Sequence, residues 1–133
     1  MPRRLYFDWD YRSDCLWDAE SGGMLILDGL PLGEQTRVDA RAWAEHRTEL
    51  GFQDLDSDPM SSPTGATRPP VTDAEWERSA REASALLGRI REDLGPEFLV
   101  GEVEFRDERR YVRWGPGEPL VPFPLGSETD PER

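Results

Sequence analysis

The stretch from Val71 to Pro96 constrains this chain more than any other. Thr72 followed by Glu75 has the form of a capping box, and Val71 and Trp76 occupy the two positions of a hydrophobic staple. Trp76, Ala80, Ala83, Leu87, Ile90 and Leu94 then recur at alternating four- and three-residue spacings, which draws one apolar stripe along a helix. Glu77 and Arg81 stand four apart in the favourable order. Gly95-Pro96 ends the helix, because glycine tolerates a reversed backbone and proline cannot donate the next hydrogen bond. A helix with a single stripe persists only when something covers that stripe.

The flanking segments supply the cover. Leu5, Phe7, Trp9 and Tyr11 alternate with Tyr6, Asp8 and Asp10, which is the period of a half-buried strand. Residues 12–23 read as a loop lying back on the sheet. Met24 to Leu27, between Gly22-Gly23 and Asp28-Gly29, reads as a second strand. Glu34 to Leu50 is expected to form a helix, with Val38, Ala42, His46 and Leu50 on one face, Trp43 beside them and Gly51 as the stop. Phe98–Phe105 and Tyr111–Trp114 form a hairpin about a turn at 106–109. Leu120 to Leu125 is apolar, but its prolines confine it to an edge or an extended cover.

Residues 51–71 read as a flexible connector, rich in Asp, Ser, Pro and Gly, and 126–133 as a polar tail. A chain of 133 residues has room for one modest core, so a single domain over 1–133 is expected. That excludes a large multidomain enzyme and a two-halved dinucleotide-binding fold. The expected class is α+β, a small antiparallel or mixed sheet of four to five strands with two helices packed on one face.

Charge narrows the function. The formal net charge is -12, and all sixteen basic residues are arginine. The acidity runs along the whole chain rather than sitting in a tail. Such a surface repels nucleic acid and anionic membranes and attracts basic proteins. Arg106, Arg109, Arg110 and Arg113 cluster near Tyr111 and Trp114, but Asp107 and Glu108 interrupt them, which favours salt-bridged solvent exposure over nucleic-acid readout. No phosphate-cradling glycine loop occurs. Nor is there an apolar run of signal-peptide or membrane-spanning length, so a cytoplasmic location is expected.

Chemistry-bearing clusters are sparse. Asp8 and Asp10 are two apart on one expected strand, and Glu102 and Glu104 are two apart on another. Were those strands neighbours, the four carboxylates would converge on a divalent metal and support a small hydrolase or nuclease. Strand alternation with solvated carboxylates explains them more simply. Asp54, Asp56 and Asp58 fill the first three acidic positions of a calcium loop, but Pro59 stands where glycine is needed and Gly65 where glutamate is needed. His46 and Cys15 are each single, which leaves no zinc motif, no disulfide and no marked nucleophile. No cofactor and no catalytic residue are singled out.

The run Tyr6-Phe7-Asp8-Trp9-Asp10 through Leu16-Trp17-Asp18, with Leu30-Pro31-Leu32 before a Trp43-containing helix, resembles small acidic actinobacterial proteins of unassigned function. The resemblance covers the first fifty residues best and implies no catalytic residues.

Aromatics ringed by carboxylates suit a protein-binding surface. The expectation is an acidic module that engages a basic protein partner, in the manner of an immunity protein or antitoxin. Its expected contacts are Asp8, Asp10, Trp17, Asp18, Asp54, Asp56, Asp58 and Trp114. An oligomerisation module with the Trp76–Leu94 stripe between subunits is the remaining alternative.

Overall fold

The structure, a computed structural model, describes residues 2–9, 15–58, 60 and 68–123. Its elements are β1 (Arg3–Phe7), β2 (Leu16–Asp18), α1 (Glu34–Asp56), α2 (Asp73–Leu94), β3 (Phe98–Arg106), β4 (Arg109–Arg113) and β5 (Val121–Pro122). The five strands lie in the order β2-β1-β3-β4-β5. All neighbours are antiparallel except β1 and β3, which run parallel with Leu5 opposite Val100 and Phe7 opposite Glu102. Both helices pack on one face, so the class is α+β with a mixed sheet, as the sequence leads one to expect.

The first strand is shorter than its alternation suggests and is not half-buried. Leu5, Tyr6 and Phe7 are all buried, because β1 is an inner strand covered on both faces. Tyr11 and Asp10 lie outside the described residues. The second strand is Leu16–Asp18, not Met24–Leu27. Met24 makes only an isolated bridge to Trp17, and Leu27–Gly29 is a 3-10 turn. Gly22, at φ 75°, takes the left-handed conformation that this tight return requires.

On the helical face, Leu5, Phe7, Leu16 and Val100 meet Leu86, Leu87, Ile90 and Leu94 of α2, Ala40 of α1, and Leu27, Leu30 and Leu32 of the intervening loop. The C-terminal part of the α2 stripe, Leu87, Ile90 and Leu94, is therefore buried within the chain. The N-terminal half of the stripe is rotated from the expected phase: Ser79 is buried and Ala80 is exposed. The Ser79 carbonyl accepts a hydrogen bond from Trp43 Nε1 at 3.1 Å, which turns that side of α2 toward α1. The capping box at Thr72 and Glu75 forms in both directions.

The α1 helix departs further from expectation. It runs six residues beyond Leu50, through Gly51, and it buries Thr36, Ala40, Ala44 and Leu50 while Val38, Ala42 and His46 face outward. Arg47 adds a charged residue to the packed side of the helix. Its guanidinium lies between the indoles of Trp9 at 4.4 Å and Trp76 at 4.6 Å, joining the end of β1, α1 and the start of α2. Burial pushes its pKa down, and the nearby Asp8 charge opposes that shift. The helix continues through Gly51, which is therefore not a helix stop, and a Cβ built there would lie 3.9 Å from Trp9.

The first turn of α1 is capped from a distance. Gly33 has no capping side chain of its own, and its N–H donates to Asp93 Oδ2 at 2.9 Å. Hydrogen bonds from Thr36 and from Gly33 hold the Asp93 carboxyl below its ordinary range.

The opposite face of the sheet has a cover of its own. Tyr6 packs on Trp114 (centroids 5.5 Å apart) and on Phe123 (4.5 Å). Trp114 lies flat over Gly101, where a Cβ would stand 2.5 Å from Val112 Cγ2. At the β3–β4 turn, Asp107 and Glu108 both have positive φ, 52° and 63°, the signature of a two-residue I′ hairpin turn. The last described segment pairs along β4 as the edge strand β5.

Gly51→Ala is expected to stabilise the fold by about 0.5–1 kcal/mol, since the added methyl improves helix propensity. A Cβ there would meet Trp9 and Arg47 at 3.9 Å, an ordinary contact. Thermal unfolding checks this, and a lower midpoint contradicts it. Asp93→Asn is expected to flatten the acid limb of the stability–pH profile. The Asp93 contribution is complete above the ordinary aspartate pKa of about 4 and is lost as pH falls through the lower folded-state value. Melts at a series of acidic pH values would contradict this if the two profiles stayed parallel.

Candidate functional site

The sheet register separates the carboxylates that a metal would need together. Glu102 lies opposite Phe7 in the parallel pair and shares its helical face, and Glu104, two residues on, points the same way. Asp8 follows Phe7 and reaches the other face, where its Oδ2 meets Arg110 Nη1 at 3.2 Å. Glu104 pairs with Arg113 at 2.8 Å and with Arg106 at 3.1 Å, and Glu102 stands 3.7 Å from Arg113. Asp10 lies outside the described residues. Among the described residues no group of three or more His, Cys, Asp or Glu side chains is placed to hold a metal ion. Cys15 is enclosed in the core while His46 stands on the exposed side of α1, so no reachable thiol is offered to a substrate.

Among the described residues, clefts lie beside α2 and between the helices. The larger, about 530 Å³, lies between α2 and the 113–118 segment and is lined by Ser84, Arg91, Glu102, Arg113 and Glu118 among others. Its charges are internally balanced. Arg91 donates through Nε and Nη2 to the Val100 carbonyl at 3.1 and 2.9 Å, and Arg113 Nε donates to the Glu118 carbonyl at 2.9 Å. Burial lowers the Arg91 pKa, against the nearby charges of Glu102 and Glu118. The second cleft, about 430 Å³, runs between α1 and α2, where Arg89 closes on Asp39 at 2.7 Å. Hydrogen bonds from Arg89 and Gln35 hold the Asp39 carboxyl below its ordinary range.

Several expected contact residues serve the fold. Asp8, Trp17 and Trp114 come together on the non-helical face of the sheet. Trp17 Nε1 donates to the Asp8 carbonyl at 3.3 Å, and Trp114 is half-buried against Tyr6 with the Arg4 guanidinium 5.6 Å above its ring. Asp18 lies on β2, takes a hydrogen bond from the Glu20 backbone N–H and pairs with Arg3 at 3.5 Å. The backbone hydrogen bond from Glu20, then the charge of Arg3, hold its carboxyl below the ordinary range, with burial opposing them.

Asp54, Asp56 and Asp58 are placed differently. Asp54 and Asp56 belong to the last turn of α1 and Asp58 follows it, so this stretch is not the open connector that its composition suggests. Carboxylates at a helix C-terminus face the negative end of the helix dipole, and no basic residue lies in the last turn of α1. Arg68, from the returning chain, compensates part of this by pairing with Asp56 at 3.2 Å and with Glu49. Asp54 has no ion pair among the described residues. The same helix end exposes Phe52 (49%), Leu55 (51%) and, just beyond it, Met60 (92%). Phe52 and Leu55 are three apart and therefore adjacent on the helix surface.

The α1 end thus combines an excess of negative charge, met in part by Arg68, with exposed large apolar side chains. Phe52, Leu55, Met60 and Glu49 are the members that composition alone missed. The available signal was the three-residue spacing of Phe52 and Leu55, hidden by reading Gly51 as a stop. Comparison with models of known protein families finds no match to this chain, and comparison with curated proteins finds none either.

Asp54→Asn is expected to raise the melting midpoint by about 1–3 °C at low ionic strength, because it removes a charge from the unfavourable end of α1. The gain should fade in about 1 M salt, where the screening length is about 3 Å. A loss of stability at low salt contradicts this account of the helix end.

Proposed function

We propose that this chain is an acidic binding module that docks on a basic protein. The observation that carries the reading is the α1 end, where Asp54 and Asp56 share the final turns with exposed Phe52 and Leu55, no basic residue lies in the last turn, and Asp58 and exposed Met60 follow. A chain with net charge -12 attracts a cationic partner from a distance, and exposed apolar anchors hold it on contact. A cytoplasmic inhibitor of the immunity or antitoxin type, covering the cationic surface of a nuclease, is one concrete form of such a module.

The internal pairing of Asp8, Glu102 and Glu104 with arginines supports a binding role over metal-dependent hydrolysis. Each of these carboxylates is already engaged with a guanidinium, and Asp8 and Glu102 serve opposite faces of the sheet.

The full chain, immobilised and exposed to cell extract at low salt, is expected to retain proteins of high isoelectric point. About 0.5 M salt should release them as screening shortens the range of attraction. The triple variant Asp54→Asn, Asp56→Asn, Asp58→Asn should weaken capture about tenfold, at a few tenths of a kcal/mol or more for each charge. Retention of no basic protein at low salt would overturn the proposal.

A further inference from the structure

We infer that the cleft between α2 and the 113–118 segment binds a small zwitterion, an α-amino acid with an apolar side chain. The site stands apart from the α1 end and does not depend on the basic-partner reading. Three observations carry it.

First, the helix wall of the cleft is left bare. Ser84, Gly88 and Arg91 follow one another at four- and three-residue spacings and so share one face of α2. Glycine inside a helix is destabilising relative to alanine. Packing does not demand it here, because a Cβ on Gly88 would meet no heavy atom within 4 Å. The missing side chain leaves open the space that Pro116 and Gly117 line from the other side, in a cleft of about 530 Å³. That volume falls within the range of small-molecule sites, about 300–1,000 Å³.

Second, the charged lining keeps hydrogen-bonding capacity of both signs. Arg91 directs Nε and Nη2 to the Val100 and Arg113 carbonyls. Arg113 directs Nε to the Glu118 carbonyl and Nη1 to Glu104. Among the described residues, Nη1 of Arg91 and Nη2 of Arg113 donate to nothing, and the Glu118 carboxylate forms no ion pair. Each guanidinium is thus fixed by one set of N–H groups and keeps another for a ligand carboxylate. Glu118, together with Glu102 at 3.7 Å from Arg113, supplies acceptors for a ligand ammonium.

Third, the balance of charge selects the class of ligand. Two arginines and two glutamates line the cleft, so its charges cancel, whereas the chain as a whole carries -12. The field of the chain repels a simple anion, and the paired guanidinium groups repel a simple cation. A molecule with one charge of each sign meets both requirements, and Leu87, Gly88 and Pro116 give its apolar part a wall. The same neutrality leaves nothing here to attract a basic protein. The groove between α1 and α2 lacks such a set, because Arg89 and Asp39 close on each other at 2.7 Å.

Calorimetric titration of the full chain with L-leucine, isocaproate and isoamylamine tests this. Isocaproate is leucine without its ammonium, and isoamylamine is leucine without its carboxylate. Leucine is expected to bind about tenfold more tightly than either. Glu118→Gln, on an exposed turn, should remove most of the advantage over isocaproate while binding isocaproate no more weakly. Gly88→Leu should weaken leucine binding about tenfold or more by filling the cleft. Gly88→Ala should raise the melting midpoint by about 3 °C, because the fold does not need the glycine. Equal affinity for leucine and isocaproate would make the cleft a plain anion site. Undiminished leucine binding by Gly88→Leu would place the ligand elsewhere, and a lower midpoint for Gly88→Ala would make the glycine structural. Any one of these results, or the absence of leucine binding, would overturn the inference.

Discussion

The parallel pairing of β1 with β3 governs the rest of this structure. It places the N-terminal strand inside the sheet, between β2 and β3, although β2 and both helices in full separate the paired strands in sequence. The crossover that this pairing demands lays both helices on one face, where Leu5, Phe7 and Val100 meet the α2 stripe. It also fixes which carboxylates can meet. With Phe7 level with Glu102, Asp8 turns to the opposite side, so the sheet itself divides Asp8 from Glu102 and Glu104.

Arg47 then joins the pieces. A half-buried guanidinium between Trp9 and Trp76 is desolvated, and its two aromatic faces and the nearby Asp8 charge offset that cost. The clamp links the exit of β1 to α1 and to the start of α2, just before α1 passes through Gly51. The turn beyond it is built from poor material: a glycine, two aspartates and two exposed apolar residues, with the helix dipole opposed. Natural chains break local rules of this kind mostly where function asks for it. That is why the surface beyond the clamp, rather than the better-satisfied clefts, is read as the contact region.

Much of the fold is legible in the sequence where local signals agree. Thr72, Glu75, Val71 and Trp76 specify the start of α2, and Gly95-Pro96 its end, because capping and staple chemistry depend only on near neighbours. The hairpin is legible from its alternation. The rotation of α2 at Ser79 is not, since it answers a hydrogen bond from Trp43 on another helix. The buried face of α1 is hidden for a related reason: Thr36, Ala40, Ala44 and Arg47 are small, polar or charged, while Val38 on the outside is apolar. Hydrophobic pattern cannot reveal a face selected for close approach and for a cation between two indoles. The exchange of Met24–Leu27 for Leu16–Asp18 follows from β1, whose free edge is taken by the first segment to return to it. The aspartates at 54, 56 and 58 are visible by composition, but their place at a helix end follows from α1 continuing through Gly51 to Asp56.

Hydrogen exchange on the complex with a captured basic protein tests the central claim most directly. Amides from about Glu49 to Asp58 should gain protection on binding, because a docked partner would hold the last turns of α1 closed. The β3–β4 hairpin and the aromatic face around Tyr6 and Trp114 should exchange as they do in the free chain. Protection concentrated on that sheet face, with the α1 end unchanged, would contradict the account.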